Sequence, residues 1–245
     1  MSAIAGDGGP NVRLAKRLIS RAYIWILNIY DPCHNLDLFM KDIGAIFKPT
    51  TKGDLSVLAI VSGLSNYFGT SNYGTAQLDD ARKAMNISTG VKSSSETRFS
   101  TCHIQAKSIC TCMPAIKHCI ETETIKFTSK ATKKLVSYIT GPNYYGFMQD
   151  LSAFISLTTA PANAILTLEG QHINCADVFY AWVCIAHSLQ QHFENPLLGL
   201  GKYRAGVVTA YNARFNQMMS ESSHHIFLLA YFLHPSALRM SRNGG

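Results

Sequence analysis

Three aspartates close together in the sequence are the first residues whose chemistry needs to be considered. Asp31, Asp37 and Asp42 lie in one short stretch, and converging carboxylates can hold the divalent metal ions that cleave phosphodiesters. On a helix, Asp37 and Asp42 would be separated by about 140°, so their side chains diverge. Glu169 lies in a Leu-Glu-Gly context that is typical of a turn after a helix. The sequence therefore predicts no complete acidic site and no cleavage activity of the chain by itself.

Cysteines and histidines offer a second kind of chemistry, either zinc binding or nucleophilic catalysis. Cys110 and Cys112 would diverge by about 200° on one helix, whereas structural zinc needs four converging ligands. The adjacent pair Cys33 and His34 would point about 100° apart, which is poorly aimed for a thiol beside its base. We therefore predict buried thiols, no metal site and no cofactor. The residues weighed for zinc are Cys102, His103, Cys110, Cys112, His118 and Cys119.

Basic residues give a third possibility, contact with a polyanion. The formal net charge is +7 and the isoelectric point is about 9.0, which is compatible with such a partner. Four lysines at helical spacing and a basic run over 13–21 can meet phosphates without reading sequence. The alternative is an ordinary solvated surface. The lysines are Lys126, Lys130, Lys133 and Lys134.

The elements that would position these residues are mostly helical. The chain is 47% hydrophobic and 15% charged, a composition that forms a core. Ala22–Tyr30 reads as a buried strand because it is rich in β-branched and aromatic residues. The segment Ala176–Phe193 has the clearest helical period, with Trp182 on its apolar side. The other predicted helices are His34–Ile46, Leu55–Phe68, Ala76–Met85, Thr97–Cys112, Ser129–Ile139, Tyr144–Leu168, Leu198–Met219 and His225–Leu233.

We therefore predict a mainly α fold, a helical bundle with one or few strands near the N-terminus. A new segment is expected to start at Pro114, because proline disfavours a helix interior. The expected divisions are a disordered leader over 1–12, a strand-bearing segment over 13–33, a helical domain over 34–238 and a flexible tail over 239–245. A single strand cannot satisfy its own backbone groups, and the sequence offers it no good neighbour.

The cellular setting follows from what the sequence contains. The start is Gly-rich and has no signal-peptide pattern, and the seven cysteines are expected to be reduced thiols in the nucleus or cytoplasm. No stretch of 18 or more apolar residues is apparent in the sequence, so a membrane span is not expected.

Three segments, taken in order, carry a family resemblance. Residues 31–36 continue into a helix in the manner of a C-x-x-H-x-L-x-L motif, with His34 at the histidine. Residues 94–101 contain Thr-Arg-Phe, similar to a T-R-W motif with Phe99 in place of tryptophan. Residues 227–235 form an apolar segment that ends in Leu-His-Pro. In this order and spacing the chain resembles the hAT family of DNA transposases.

The resemblance implies a particular role for the chain. Such transposases place a helical insertion domain beside an RNase H-like core, whose three acidic residues hold catalytic metal. The stretch 13–33 would be a remnant of that core, and 34–238 would be mainly the insertion. Arg98 and Phe99 would contact DNA, with Phe99 stacking on a displaced base, and His34 matches the motif histidine.

Several roles remain open at this point. The chain is interpreted as a truncated or degenerate transposase-like protein that contacts DNA without its own cleavage site. Divalent metal would belong only to a complete family member. The expected partners are DNA, bound without sequence specificity, and a second copy or a complementing transposase chain. The alternatives are a domesticated helical protein–protein interaction module and a non-functional transposon remnant. The expected DNA-binding residues are Arg98, Phe99, His34, Lys130, Lys133 and Lys134.

Overall fold

The computed structural model describes residues 2–7, 9–49, 53–93 and 100–235. It contains two compact units: unit 1 comprises 1–42 and 160–245, and unit 2 comprises 43–159. These units differ from the division into 13–33 and 34–238 that the sequence predicts. The expected tail over 239–245 lies outside the described residues.

The mainly α fold class is confirmed. The helices are α1 (Pro10–Ala22), α2 (Pro32–Ile46), α3 (Val57–Thr70), α4 (Asn72–Ala84), α5 (Thr101–Glu121), α6 (Lys130–Lys133), α7 (Val136–Ile139), α8 (Tyr144–Leu168), α9 (Cys175–Glu194), α10 (Arg204–Ser220) and α11 (Ile226–Leu233). Short 3-10 turns lie at Pro196–Leu198, Leu200–Tyr203 and Ser223–His225. Within the described residues the strands are β1 (Ser2–Gly6) and β2 (Ile26–Tyr30).

The two strands correct the expectation of a lone strand behind a disordered leader. β1 lies inside 1–12 and pairs with β2 in parallel, with Ser2 opposite Ile26 and Gly6 opposite Tyr30. The helix α1 connects them, as parallel strands require. β1 escaped prediction because Ser-Ala-Ile-Ala-Gly has little strand preference of its own, so the pairing with β2 determines its conformation.

Side chains form hydrogen bonds with several backbone N–H and carbonyl groups of this small sheet. The ammonium of Lys16, only 4% exposed, donates to the carbonyl oxygens of Gly6 at 3.3 Å and Ile29 at 2.6 Å. On the other edge of β2, Asn28 N–H donates to Ser223 Oγ at 3.0 Å, and Tyr30 N–H donates to Ser222 Oγ at 3.1 Å. These contacts take the place of further strands.

An aromatic cluster forms the core of unit 1. The fully buried Trp182 has ring centroids 5.8 Å from Phe39, 5.3 Å from Tyr211 and 6.0 Å from Phe215. The helix that carries Trp182, α9, begins with a capping box between Asn174 and Asp177. The expected core role of Trp182 is confirmed.

An ion pair ties two helices of unit 1 together. The Arg214 guanidinium on α10 donates to both carboxylate oxygens of Asp42 on α2, at 2.6 and 3.1 Å. This two-point geometry makes it stronger than an ordinary surface pair. The hydrogen bond to Asp42, with a smaller contribution from its charge, raises the pKa of Arg214, so the guanidinium keeps its positive charge.

Two helices of unit 2 differ from the sequence-based expectation. α5 continues through Pro114, because Met113, Ala115 and Ile116 are fully buried around it and their packing outweighs the hydrogen bond that proline removes. The predicted helix over Ser129–Ile139 is divided into α6 and α7 by a turn at residues 134–135.

The long helix α8 is confirmed over its predicted span. Among the described residues it is the one helix that is long and apolar enough to cross a membrane. Half of the most apolar 18-residue stretch of α8 is buried inside the protein. A core helix passes the same test of length and composition, so this feature is weak support for a membrane span.

Replacing Trp182 by alanine tests the aromatic cluster. Loss of a fully buried tryptophan leaves a cavity, so we expect the free energy of unfolding to fall by about 3–5 kcal/mol. The matched control is Trp25→Ala, because Trp25 is 63% exposed and should change stability by less than about 0.5 kcal/mol. Urea unfolding followed by circular dichroism measures both. Equal effects of the two substitutions would contradict the packing described for Trp182.

Candidate nucleic-acid interface

The lysines around α6 form the strongest candidate for contact with a polyanion. Ser129 begins the helix, since its Oγ accepts a hydrogen bond from Thr132 N–H at 3.1 Å. Lys130, Lys133 and Lys134 follow, and all three are exposed. None of them pairs with a carboxylate among the ion pairs of the described residues.

The charge around these lysines is unbalanced because the sequence contains no acid there. No aspartate or glutamate lies between Glu123 and Asp150. Lys126, the fourth lysine of the predicted basic face, differs from the rest because its ammonium is 2.8 Å from Glu123. Both members of that pair are exposed, and surface pairs of this kind contribute little to stability. Positive charge without a local partner is therefore concentrated at 130–134.

A groove lies beside residues 130–134, which we call the lysine segment, between α3 and α6. Its volume is about 780 Å³, and Lys130 and Lys134 are on its border while Lys133 is not. The α3 residues that line it recur at helical spacing and form one stripe. The remaining lining residues are Leu55, Ala59, Gly63, Asn66, Tyr67, Thr70, Thr132 and Leu135. This groove was not predicted from the sequence, although the small residues one turn apart on α3 were a signal for it.

The structure does not add the other predicted DNA-binding residues to this group. Arg98 and Phe99 lie outside the described residues. His34 belongs to unit 1, in the first turn of α2, with its ring 6.5 Å from that of Tyr30. His34 N–H and Cys33 N–H both donate to Asp31 Oδ1. The structure therefore brings together Lys130, Lys133 and Lys134 from the predicted set.

The acidic residues weighed for catalysis have structural partners. Asp31 caps the start of α2, as the hydrogen bonds above indicate. Asp37 Oδ2 is 2.7 Å from Lys41 Nζ, one turn along the same helix, and Asp42 binds Arg214. Glu169 follows the end of α8, where its N–H donates to the carbonyl oxygen of Ile165. These contacts give each of the four carboxyl-bearing residues a place in the local structure.

Three of the seven thiols are buried as predicted, whereas Cys102, Cys110 and Cys175 are half-buried and Cys184 is exposed. Cys33, Cys112 and Cys119 are buried, and Cys112 Sγ donates to the carbonyl oxygen of Thr89 at 3.2 Å. Burial raises the pKa of the Cys33 thiol to about 12 and also raises the pKa of Cys110, Cys112 and Cys119. A protonated thiol is a poor nucleophile and a poor metal ligand. The part of the chain that the structure describes contains no cluster of three or more potential metal ligands.

His103 has a buried polar contact that the sequence did not reveal. Its Nδ1 is 2.8 Å from Thr158 Oγ1, and that hydroxyl donates to the carbonyl oxygen of Phe154 at 2.7 Å. The hydroxyl oxygen therefore accepts a hydrogen bond from Nδ1–H, which fits the neutral ring. Burial, with a smaller contribution from Lys107, lowers the pKa of His103 from 6.5 to about 4. Through this contact the histidine links α5 to α8.

Comparisons with models of protein families, with curated protein sequences and with solved structures give no match. The resemblance to hAT transposases therefore rests on the sequence segments quoted above.

The buried His103 leads to a prediction about pH. Its folded-state pKa is lowered, so between pH 6.5 and 4 the unfolded chain binds more protons than the folded protein. The contribution to stability is full above pH 6.5 and falls as the pH drops toward 4, by about 3 kcal/mol in total. His103→Gln keeps a donor for Thr158 and should remove this component. Urea unfolding across this pH range, compared between the two proteins, measures it, and parallel pH profiles would contradict the assignment.

Proposed function

We propose that this chain is a DNA-contacting helical domain of a truncated or degenerate hAT-type transposase-like protein, without a cleavage site of its own. The observation that carries the DNA part of the proposal is the group of exposed lysines at 130, 133 and 134, which has no carboxylate partner among the described ion pairs. Unpaired ammonium groups favour a phosphate backbone because binding releases the counterions condensed on DNA.

The mechanism is electrostatic and independent of base sequence. Each lysine that neutralises a phosphate adds about 0.9 to the slope of log affinity against log salt concentration. Lysine acts as a point charge with rotatable donors and lacks the two-point geometry of arginine. The lysine segment is therefore suited to positioning DNA rather than to reading it.

The transposase part of the proposal depends on the quoted sequence motifs. Arg98 and Phe99 are proposed as a second contact, in which the aromatic ring stacks on an unpaired base. The absence of cleavage is proposed because Asp37 and Asp42 have structural partners and Asp31 caps a helix. A nuclear or cytoplasmic location is consistent with reduced thiols.

A second candidate function is protein–protein interaction, favoured by exposed apolar side chains in unit 1. Leu14 and Leu18 lie one turn apart on α1 and are 55% and 56% exposed. Ile24 and Trp25, just after that helix, are 84% and 63% exposed. Exposed apolar side chains that form one continuous patch commonly contact another protein. A helical interaction module would use this surface whether or not the lysines contact DNA.

Replacing Lys130, Lys133 and Lys134 together by alanine tests the DNA proposal. We expect weaker binding to a fluorescent blunt DNA duplex and a salt slope smaller by about 2–3, since up to three phosphate contacts are lost. The control is Lys83→Ala, Lys117→Ala and Lys126→Ala combined, which removes the same net charge. The lysines at 117 and 126 are each already paired with a glutamate, so the control should change the slope by less than about 1.

Fluorescence anisotropy over a salt series measures both variants, and circular dichroism establishes that each is folded. No binding of the folded unmodified protein at low salt would overturn the DNA proposal and favour the interaction module. Equal loss of slope in the two triple variants would show that general charge, rather than the lysine segment, produces the binding.

A further inference from the structure

The groove between α3 and the lysine segment has a chemical character beyond phosphate contact. Its lining includes three apolar side chains, those of Leu55, Ala59 and Leu135, which are called its apolar floor below. Gly63 is one turn beyond Ala59, and a side chain there would come within 3.3 Å of Leu135. The absence of large side chains at 59 and 63 keeps the floor open. Its volume of about 780 Å³ lies in the range of small-molecule binding sites.

Tyr67 is the aromatic residue that lines the groove. The Tyr67 ring is edge-to-face with Phe127 at a centroid distance of 4.6 Å and with Phe68 at 5.1 Å. These contacts hold the ring in place before any ligand arrives. Asn66, also lining the groove, carries an amide that can both donate to and accept from the edge of a base.

The charge of the groove selects among apolar ligands. Lys130 and Lys134 are among its lining residues, and no carboxylate is. A ligand that fits must combine a flat apolar part with a negative charge. A duplex presents its phosphates outward and keeps its bases stacked, so it cannot use the apolar floor. An unpaired nucleotide has both features, an exposed base and a phosphate joined through one sugar.

We propose that this groove binds unpaired nucleotides of single-stranded DNA, with a base on the apolar floor against Tyr67 and its phosphate at Lys130 and Lys134. The inference rests on the proposed DNA-contacting function and adds to it a preference for unpaired bases. It assigns the groove a role separate from that of Phe99.

The test compares a blunt duplex, the same duplex with a short oligo-dT tail, and the duplex with an abasic tail of equal length. The tail should increase the affinity of the full chain by about tenfold, in line with base–aromatic stacking. The abasic tail keeps the phosphates and should give little of this gain. Fluorescence anisotropy at one salt concentration measures all three.

Ala59→Phe fills the groove without changing its charge, and should bring the affinity ratio of tailed to blunt DNA close to one. The control is Ser62→Phe, because Ser62 is also exposed on α3 but does not line the groove. It should retain the ratio of the unmodified protein. Circular dichroism establishes that both variants are folded.

The outcomes separate this inference from the proposal on which it rests. No binding of blunt duplex by the folded protein overturns the proposed function. Binding of blunt duplex with no gain from the tail overturns only the groove assignment. An equal gain from the abasic tail would also overturn the groove assignment, and so would an acidic peptide that competes as well as oligo-dT. A third contradicting result is that Phe99→Ala abolishes the gain while Ala59→Phe does not.

Discussion

A parallel sheet of two strands cannot satisfy its own backbone groups, and the construction of unit 1 follows from this constraint. Lys16 supplies donors to carbonyl oxygens at the end of both strands, and Ser222 and Ser223 accept the N–H groups on the other edge of β2. The serines come almost two hundred positions after the strand they cover. The start of the chain is therefore joined to its later helices, and residues 43–159 are inserted between the two segments of unit 1.

The charged residues divide into two groups according to their partners. The carboxylates that first suggested metal chemistry have structural roles. Asp31 and Asp37 stabilise α2, and Asp42 joins α2 to α10. In unit 2, the lysines that follow Ser129 have no comparable ion pairs among the described residues. Since paired charges are poorly available to a ligand, the second group is where a polyanion is expected to bind.

The local sequence predicted the helices in which apolar residues recur at clear helical spacing. Long-range contacts account for most of the structural features that were not predicted. α9 could be predicted because its capping residues and its stripe around Trp182 agree. β1 could not, since five mostly small residues become a strand only through pairing with β2. The helix end expected at Pro114 does not occur, because local rules do not include the burial of its neighbours. The lysines of the candidate interface were predicted from spacing, but the groove beside them requires α3 to pack near α6.

The most direct test of the central claim, that the lysine segment contacts DNA, is amine-reactive footprinting of the folded chain with and without duplex DNA. Lys130, Lys133 and Lys134 are exposed, so all three should be modified in the free protein. DNA should slow their modification while Lys83, exposed on α4, keeps its rate. Unchanged modification of the three lysines at DNA concentrations that saturate binding would contradict the account and locate the DNA contact elsewhere in the chain.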